Sequence, residues 1–258
     1  MLKSILLIIH MASLNSQSLT NSIDKDSLKK HHNNKNLYLR YHDNGKIKIK
    51  GSIKQGLANG YWVQYYKQGQ LKSRGRYYMA PLTTYDQPDT KGKEGKWTSW
   101  YANSQKESVG NFRKGQKIGK WTYWYKNGFK NTEGNYLKDK MHGKWTSWYA
   151  NSNKQTEGEY LSGLMTSHWF FWNENGYLVE VGNYKSGFAI GTHIGYYDNG
   201  NIKWEINYLN GKKHGQYTQW HENSIIEISG EYVWGKKVGL WNHWNKYKII
   251  ISKKEFNQ

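Results

Sequence analysis

The chain has 258 residues, with 38 Lys and Arg against 19 Asp and Glu for a formal charge of +19, and it holds 14 Trp and 22 Tyr but no Cys. The missing cysteine excludes disulfides and thiolate metal centres. The charge favours anionic partners through long-range attraction, a condition met by acidic protein, anionic lipid, acidic glycan and nucleic acid.

Residues 1–17 read as a short secretory signal. Met1-Leu2-Lys3 is a basic start, Ser4 to Ile9 an apolar stretch, and Ala12 to Gln17 a small and polar exit. The apolar run is far below the roughly 20 residues that a membrane span needs, so no transmembrane segment is expected. Export to the periplasm or cell surface is the expectation, with the cytoplasm as the alternative because His10 interrupts the run. Residues 18–36, with Lys29-Lys30-His31-His32-Asn33-Asn34, have few large apolar groups and are expected to form a flexible lead-in.

From residue 37 the aromatic residues fall on a lattice. Tyr38, Trp62, Trp97, Trp121, Trp145, Trp169, His193, Tyr217 and Trp241 stand 24 residues apart, save for one interval, Trp62 to Trp97, that is eleven residues longer. An insertion at 81–93, holding both prolines, accounts for it. A second column follows three residues later: Tyr41, Tyr65, Trp100, Trp124, Trp148, Trp172, Tyr196, Trp220 and Trp244. A fixed period of this size means one small unit stacked on copies of itself.

In the clearest copy, Gly119 to Tyr125 is an aromatic, β-prone run, Asn127-Gly128 a two-residue hairpin turn, Asn131 to Leu137 a second strand, and Lys138-Asp139-Lys140 the turn into the next unit. The expected fold is therefore all-β, an elongated single-layer antiparallel meander of about nine 24-residue β-hairpins over residues 37–247. At about 4.8 Å per strand, some eighteen strands would extend on the order of 85 Å. The run Ile249-Ile250-Ile251 followed by Lys253-Lys254-Glu255 makes 248–258 a capping strand whose charges protect the last edge.

The repeated pattern of Asn127-Gly128, Glu133-Gly134, Tyr136, Gly143, Trp145, Trp148 and Tyr149 resembles the MORN repeat, more closely its bacterial variant. The resemblance covers residues 38 to 247. It implies an elongated sheet of hairpins and a binding or scaffold role, with an alternative as an immunity protein that neutralises a cognate toxin. The sequence departs from the pattern at Ser167 and Ile206, each in place of Gly, and at His193 in place of Trp.

Residues alternate faces along a strand, so Trp121 and Trp124 point to opposite sides. One column is expected to pack successive hairpins together through cross-strand pairs. The other, Trp100, Trp124, Trp148, Trp172, Tyr196, Trp220 and Trp244, is the candidate binding ladder, because a single sheet has no second layer to cover it. Lys114, Lys117, Lys138, Lys140, Lys212, Lys213, Lys236 and Lys237 recur at equivalent turns and form a candidate basic rim, with edge protection as the alternative role. A protein partner is expected, with anionic lipid or glycan as further candidates. Specific nucleic acid is not expected, since the positions repeat too regularly to form one reading site.

No catalytic constellation is found, and no cofactor or metal is expected. Gly115-x3-Gly119-Lys120-Trp121 has three intervening residues where a phosphate loop needs four, and Trp where Ser or Thr should hold magnesium. Glu133, Glu157 and Glu205 recur at one repeat position and read as cross-strand charge partners rather than general acids.

Overall fold

A computed structural model describes residues 36–83 and 87–257. The signal-like stretch 1–17, most of the lead-in, His31-His32 and three residues of the insertion, Thr84, Tyr85 and Asp86, lie outside the described residues.

The chain forms eighteen strands: β1 (Leu37–Tyr41), β2 (Ile47–Lys54), β3 (Leu57–Tyr65), β4 (Leu71–Ala80), β5 (Lys93–Trp100), β6 (Lys106–Arg113), β7 (Gln116–Trp124), β8 (Lys130–Leu137), β9 (Lys140–Trp148), β10 (Lys154–Leu161), β11 (Leu164–Trp172), β12 (Leu178–Lys185), β13 (Phe188–Tyr196), β14 (Ile202–Leu209), β15 (Lys212–Trp220), β16 (Ile226–Val233), β17 (Lys236–Trp244) and β18 (Ile250–Phe256). Each pairs antiparallel with its neighbours in sequence, so nine hairpins make one open meandering sheet. The insertion carries a short 3-10 turn, Thr90–Gly92, and a bridge between Leu82 and Pro88.

The two edges turn differently, and differently from the sequence expectation. The tight two-residue turns are those that join one hairpin to the next, save where the insertion links β4 to β5. Lys138 and Asp139 join β8 to β9 with φ of 50° and 65°, and Asn210-Gly211 and Trp234-Gly235 repeat the pattern. Both central residues at positive φ define the turn that matches strand twist. The Asn127-Gly128 turn is instead a longer one, closed by Gly128 N–H on Tyr125 O at 2.9 Å and Tyr125 N–H on Phe129 O at 2.8 Å. Asn127 serves it twice: Oδ1 accepts from Phe129 N–H at 3.1 Å, and Nδ2 donates to Ala150 O of the next unit at 2.9 Å.

One face of the sheet carries the packing. The first-column residues Trp62, Trp97, Trp121, Trp145, Trp169 and Trp241 are all buried although no second layer covers them. Each indole lies flat on a glycine of the preceding strand; a Cβ at Gly134 would overlap the Trp145 ring, and Gly110 and Gly158 meet Trp121 and Trp169 in the same way. In five of the six the indole N–H then reaches the backbone carbonyl just beyond the glycine, as Trp121 to Asn111 O at 3.2 Å and Trp145 to Asn135 O at 3.0 Å, whereas Trp241 donates within its own strand to Val238 O at 3.2 Å. Between successive indoles stands a second ring, giving an edge-to-face series Phe112, Trp121, Tyr136, Trp145, Tyr160, Trp169 with centroids 5.0 to 6.2 Å apart. Such pairs contribute roughly 0.5–1.5 kcal/mol each beyond their buried area.

The departures from the pattern are absorbed locally. His193 replaces an indole, rests on Gly182, and keeps the backbone bond through Nε2 to Asn183 O at 3.1 Å while Nδ1 meets Glu180 Oε1 at 3.1 Å. Where Ile206 stands in the glycine position, the facing first-column residue is Tyr217, not Trp, so no indole has to lie on a side chain. Ser167 keeps the positive φ of its glycine equivalents, 62° against 71° at Gly143.

Candidate binding face

The second column lies on the other face. On β7, Lys120, Thr122 and Trp124 alternate with the buried Trp121, and the same register holds on β9 for Lys144, Thr146 and Trp148. Trp100, Trp124, Trp148, Trp172, Tyr196, Trp220 and Trp244 are all half-buried. Their backbones are fixed at the longer-turn edge, where the hydroxyl of each following tyrosine donates to the carbonyl of the next ladder residue: Tyr101 to Trp124 O and Tyr125 to Trp148 O, both at 2.8 Å.

Cations from the adjoining strands lean on these rings. Arg74 is 5.3 Å from the Trp100 centroid, Lys106 5.9 Å from Trp124, Lys130 5.0 Å from Trp148 and Lys154 5.3 Å from Trp172. Two carboxylates tie the lysines together. Glu133 receives Lys120 at 2.9 Å, Lys130 at 3.2 Å and the Thr122 hydroxyl at 3.0 Å. Glu157 receives Lys144 at 2.8 Å, Lys154 at 2.9 Å and Thr146 at 3.4 Å. Burial pushes the Glu133 carboxyl up, but the hydrogen bonds from Lys120, Lys130 and Thr122 outweigh it and hold the group below its ordinary value. The bond from Lys144 is the main cause of the same lowering at Glu157, against partial burial. The cross-strand role expected for these two glutamates is thus observed; among the described residues Glu205 makes no ion pair.

The face changes character along the array. Lys106 and Lys130 sit across from Trp100 and Trp124, but the equivalent partners of Trp172, Tyr196, Trp220 and Trp244 are Leu178, Ile202, Ile226 and Ile250. Ile202, Ile226 and Ile250 are 38, 41 and 46% exposed, so the later half presents an aliphatic strip where the earlier half presents amines.

The basic rim divides between edge and face. Lys114, Lys138, Lys140, Lys212 and Lys236 are exposed at the tight-turn edge. Lys117, Lys213 and Lys237 stand at a pleat position that turns them onto the first-column face, with Nζ 4.7 Å from the Trp121 centroid, 5.7 Å from Tyr217 and 4.0 Å from Trp241. Burial lowers the Lys117 ammonium from its ordinary range, with Asp139 acting in the opposite sense.

Sequence reading missed Arg74, Lys106, Lys130 and Lys154 as members of this face. Their signal was present: Lys106, Lys130 and Lys154 fall six residues after Trp100, Trp124 and Trp148 on the same 24-residue period. Among the described residues no three His, Asp or Glu side chains come together in a way that could hold a metal ion, and no helix is long and apolar enough to cross a membrane.

Comparison with known proteins agrees with the repeat geometry. The family model described as MORN repeat variant matches residues 36–55, 141–161 and 190–210, each a strand, longer turn and strand. No curated protein matches the chain. Among solved structures, a GtfA/B complex bound to UDP and GlcNAc is similar over 44% of this chain and 22% of that one, at 9% identity and a TM-score of 0.20. A TcdB2-TccC3-Cdc42 structure is similar over 83% of this chain and 14% of that one, at 8% identity and a TM-score of 0.21. The chain thus spans less than a quarter of the length of either, and at these scores nothing about function passes from them.

Proposed function

We propose that this array of MORN-variant repeats is a non-enzymatic binding or scaffold protein, and that the half-buried second-column face is the surface that meets its partner. One observation carries the reading: the first-column face is closed by its own rings, whereas the opposite face leaves seven aromatic residues half-exposed with cations beside four of them. Aromatic anchors ringed by charge suit a protein surface of opposite sign, where charge sets on-rate and desolvated rings set affinity. A headgroup or an acidic glycan would meet the same amines, but it would leave the aliphatic strip at Ile202, Ile226 and Ile250 without use.

Export of the protein is part of the reading and rests on the pattern of residues 1–17. N-terminal sequencing of the protein from its native cell tests it: a start near Ser18 is expected, and an intact Met1 would overturn it.

The binding face is tested by capture with tagged full-length chain at low and high salt, wild type beside a Trp124→Ser, Trp148→Ser pair and a Lys130→Gln, Lys154→Gln pair. A protein partner held by wild type at both salts and lost by the tryptophan pair is the expected result. Retention by both pairs would place the interface elsewhere, and capture of polyanions alone, lost at high salt, would replace the protein partner by a charge-driven ligand.

A further inference from the structure

The lysine pairs that hold Glu133 and Glu157 have a third copy that, among the described residues, holds no carboxylate. Moving one period back from Lys120, Thr122, Lys130 and Glu133 leads to Lys96, Thr98, Lys106 and Val109. The three donors are conserved within the chain and the carboxylate is replaced by an isopropyl group. Among the described residues neither Lys96 nor Lys106 has an ion pair, and Arg74, which occupies the carboxylate position of the preceding unit, has none either. Glu94 on β5 is engaged elsewhere, its Oε2 accepting from Lys114 N–H at 2.8 Å, and among the described residues Glu107 on β6 makes no ion pair.

These residues line one groove. Tyr61, Arg74, Lys96, Thr98, Trp100, Lys106 and Val109 surround an open cleft of about 590 Å³ on the second-column face. Tyr61 and Trp100 form its aromatic walls, backed by Arg76 at 5.3 Å from the Tyr61 centroid and Arg74 at 5.3 Å from Trp100.

We propose that this groove receives a carboxylate side chain from an acidic segment of a partner protein, seated where Glu133 and Glu157 sit in the sister units. The inference rests on the binding-face reading above and names the chemistry of its partner. The sister units show what the donor set selects: two ammonium groups at 2.8 to 3.2 Å, one on each oxygen, with a threonine hydroxyl donating to Oε2 beside the second lysine. A planar carboxylate satisfies all three donors. Other units do not repeat the vacancy: the Val181 copy has His168 and Leu178 in place of the lysines, and the Ser229 copy has Gln216 and Ile226. The walls add a preference for an aromatic or apolar residue next to the acid, since Tyr61 is 66% exposed and Trp100 half-buried.

The chain's own repeat supplies the decisive variant. Val109→Glu restores the missing carboxylate and should fill the site from within, as Glu133 does, with no loss of fold. The 15N-labelled full chain is titrated with a short peptide of alternating glutamate and phenylalanine, with the glutamine-phenylalanine counterpart, and with inorganic phosphate, reading amide shifts. Saturable shifts centred on Lys96, Thr98, Lys106 and Val109 are expected for the glutamate peptide only, weakened about tenfold in Lys106→Gln and at least as much in Val109→Glu. Equal binding by Val109→Glu, or shifts of the same size at Lys120 and Lys144, would overturn the site. Saturation by phosphate at the peptide's concentration would overturn the carboxylate assignment in favour of a phosphate. Partner capture that survives Val109→Glu but not the tryptophan pair would leave the binding face standing and remove this groove from it; peptide shifts at the groove with no captured partner would do the reverse.

Discussion

Trp145 and Trp148 stand three residues apart on β9, yet the first is 4% exposed and the second half-buried. The difference lies in what each ring rests on. Trp145 lies on Gly134, where the backbone of the neighbouring strand is bare, and is flanked by Tyr136 and Tyr160 at 5.1 and 6.2 Å. Trp148 lies beside Lys130, a long side chain that covers part of the ring and leaves the rest to solvent. A single-layer sheet thus builds a core without a second layer by removing side chains under its rings, and does so on one face only. The opposite face, with side chains retained under its rings, stays accessible.

The largest test of that contrast is the glycine itself. Gly134→Ile places a branched side chain under Trp145 and is expected to cost more than about 3 kcal/mol, in the range of severe overpacking. The chain contains its own remedy: Ile206 is buried opposite Tyr217 at the equivalent positions. Gly134→Ile with Trp145→Tyr should therefore recover part of the loss, with a coupling of about 1–3 kcal/mol in a double-mutant cycle. Additive losses in urea unfolding would mean that the ring does not depend on the bare backbone.

Next in size is removal of the ring. Trp145→Ala is expected to cost about 3–5 kcal/mol, as for other buried aromatic truncations. Trp148→Ala should cost about 1 kcal/mol, the scale of an exposed cation–π contact plus partial burial. Equal losses would erase the distinction between the faces. Trp241→Ala, in the last hairpin, should cost less than Trp145→Ala, because in an array of nearest-neighbour contacts the end unit frays without taking the rest.

Much of this was legible from the columns of aromatic residues. The period, the number of hairpins and the opposition of Trp121 and Trp124 follow from spacing and strand alternation alone. The sequence points to the second column as the exposed one, but spacing alone supplies no physical reason for that choice, because both columns hold indoles on the same period. The answer lay in Gly110, Gly134 and Gly158, each eleven residues before a first-column tryptophan and naturally read as part of a motif. The turn assignments were exchanged for a related reason: Asn127-Gly128 carries the stronger two-residue signal, but Asn127 Nδ2 is committed to the next unit's Ala150 carbonyl, which favours the longer turn. The lysines over Trp124, Trp148 and Trp172 are not legible from local sequence because each reaches a ring of the following unit, a contact made across the sheet and not along a strand.

The two faces also titrate at opposite ends of the pH scale. On the first-column face, burial raises the phenols of Tyr77, Tyr123 and Tyr217, the last to about 12, with Tyr232 and Glu227 adding to it. An unfolded tyrosine ionises near 10, so between about pH 10 and pH 12 the unfolded chain releases protons that the folded one keeps. Stability present below pH 10 is then lost as the pH rises through that window. Lys93 and Lys117, lowered by burial, contribute in the opposite sense as pH approaches their ordinary value. Melting temperature should fall above pH 10, and Tyr217→Phe should make the fall shallower; an unchanged slope in that variant would remove Tyr217 from the account.

On the second-column face the effect is smaller and of acidic onset. Glu133 and Glu157 are held below their ordinary value, so their contribution is present above that value and is lost as pH falls through the lowered one. Their lysines are largely solvated, with Lys144 at 65% and Lys154 at 46% side-chain exposure, so screening keeps the gain small. Glu157→Gln is expected to cost no more than about 1 kcal/mol at low salt, and the difference should shrink towards zero near 1 M salt. The same substitution frees Lys144 and Lys154 and leaves a second donor set without its acid, beside Trp148 and Trp172. A small stability change together with new amide shifts at Lys144 and Lys154 on adding a glutamate peptide would show that this face exchanges internal for external carboxylates. A loss of several kcal/mol would instead mark Glu157 as part of what holds the sheet together, and would move the boundary between packing and binding away from the mid-plane of the strands.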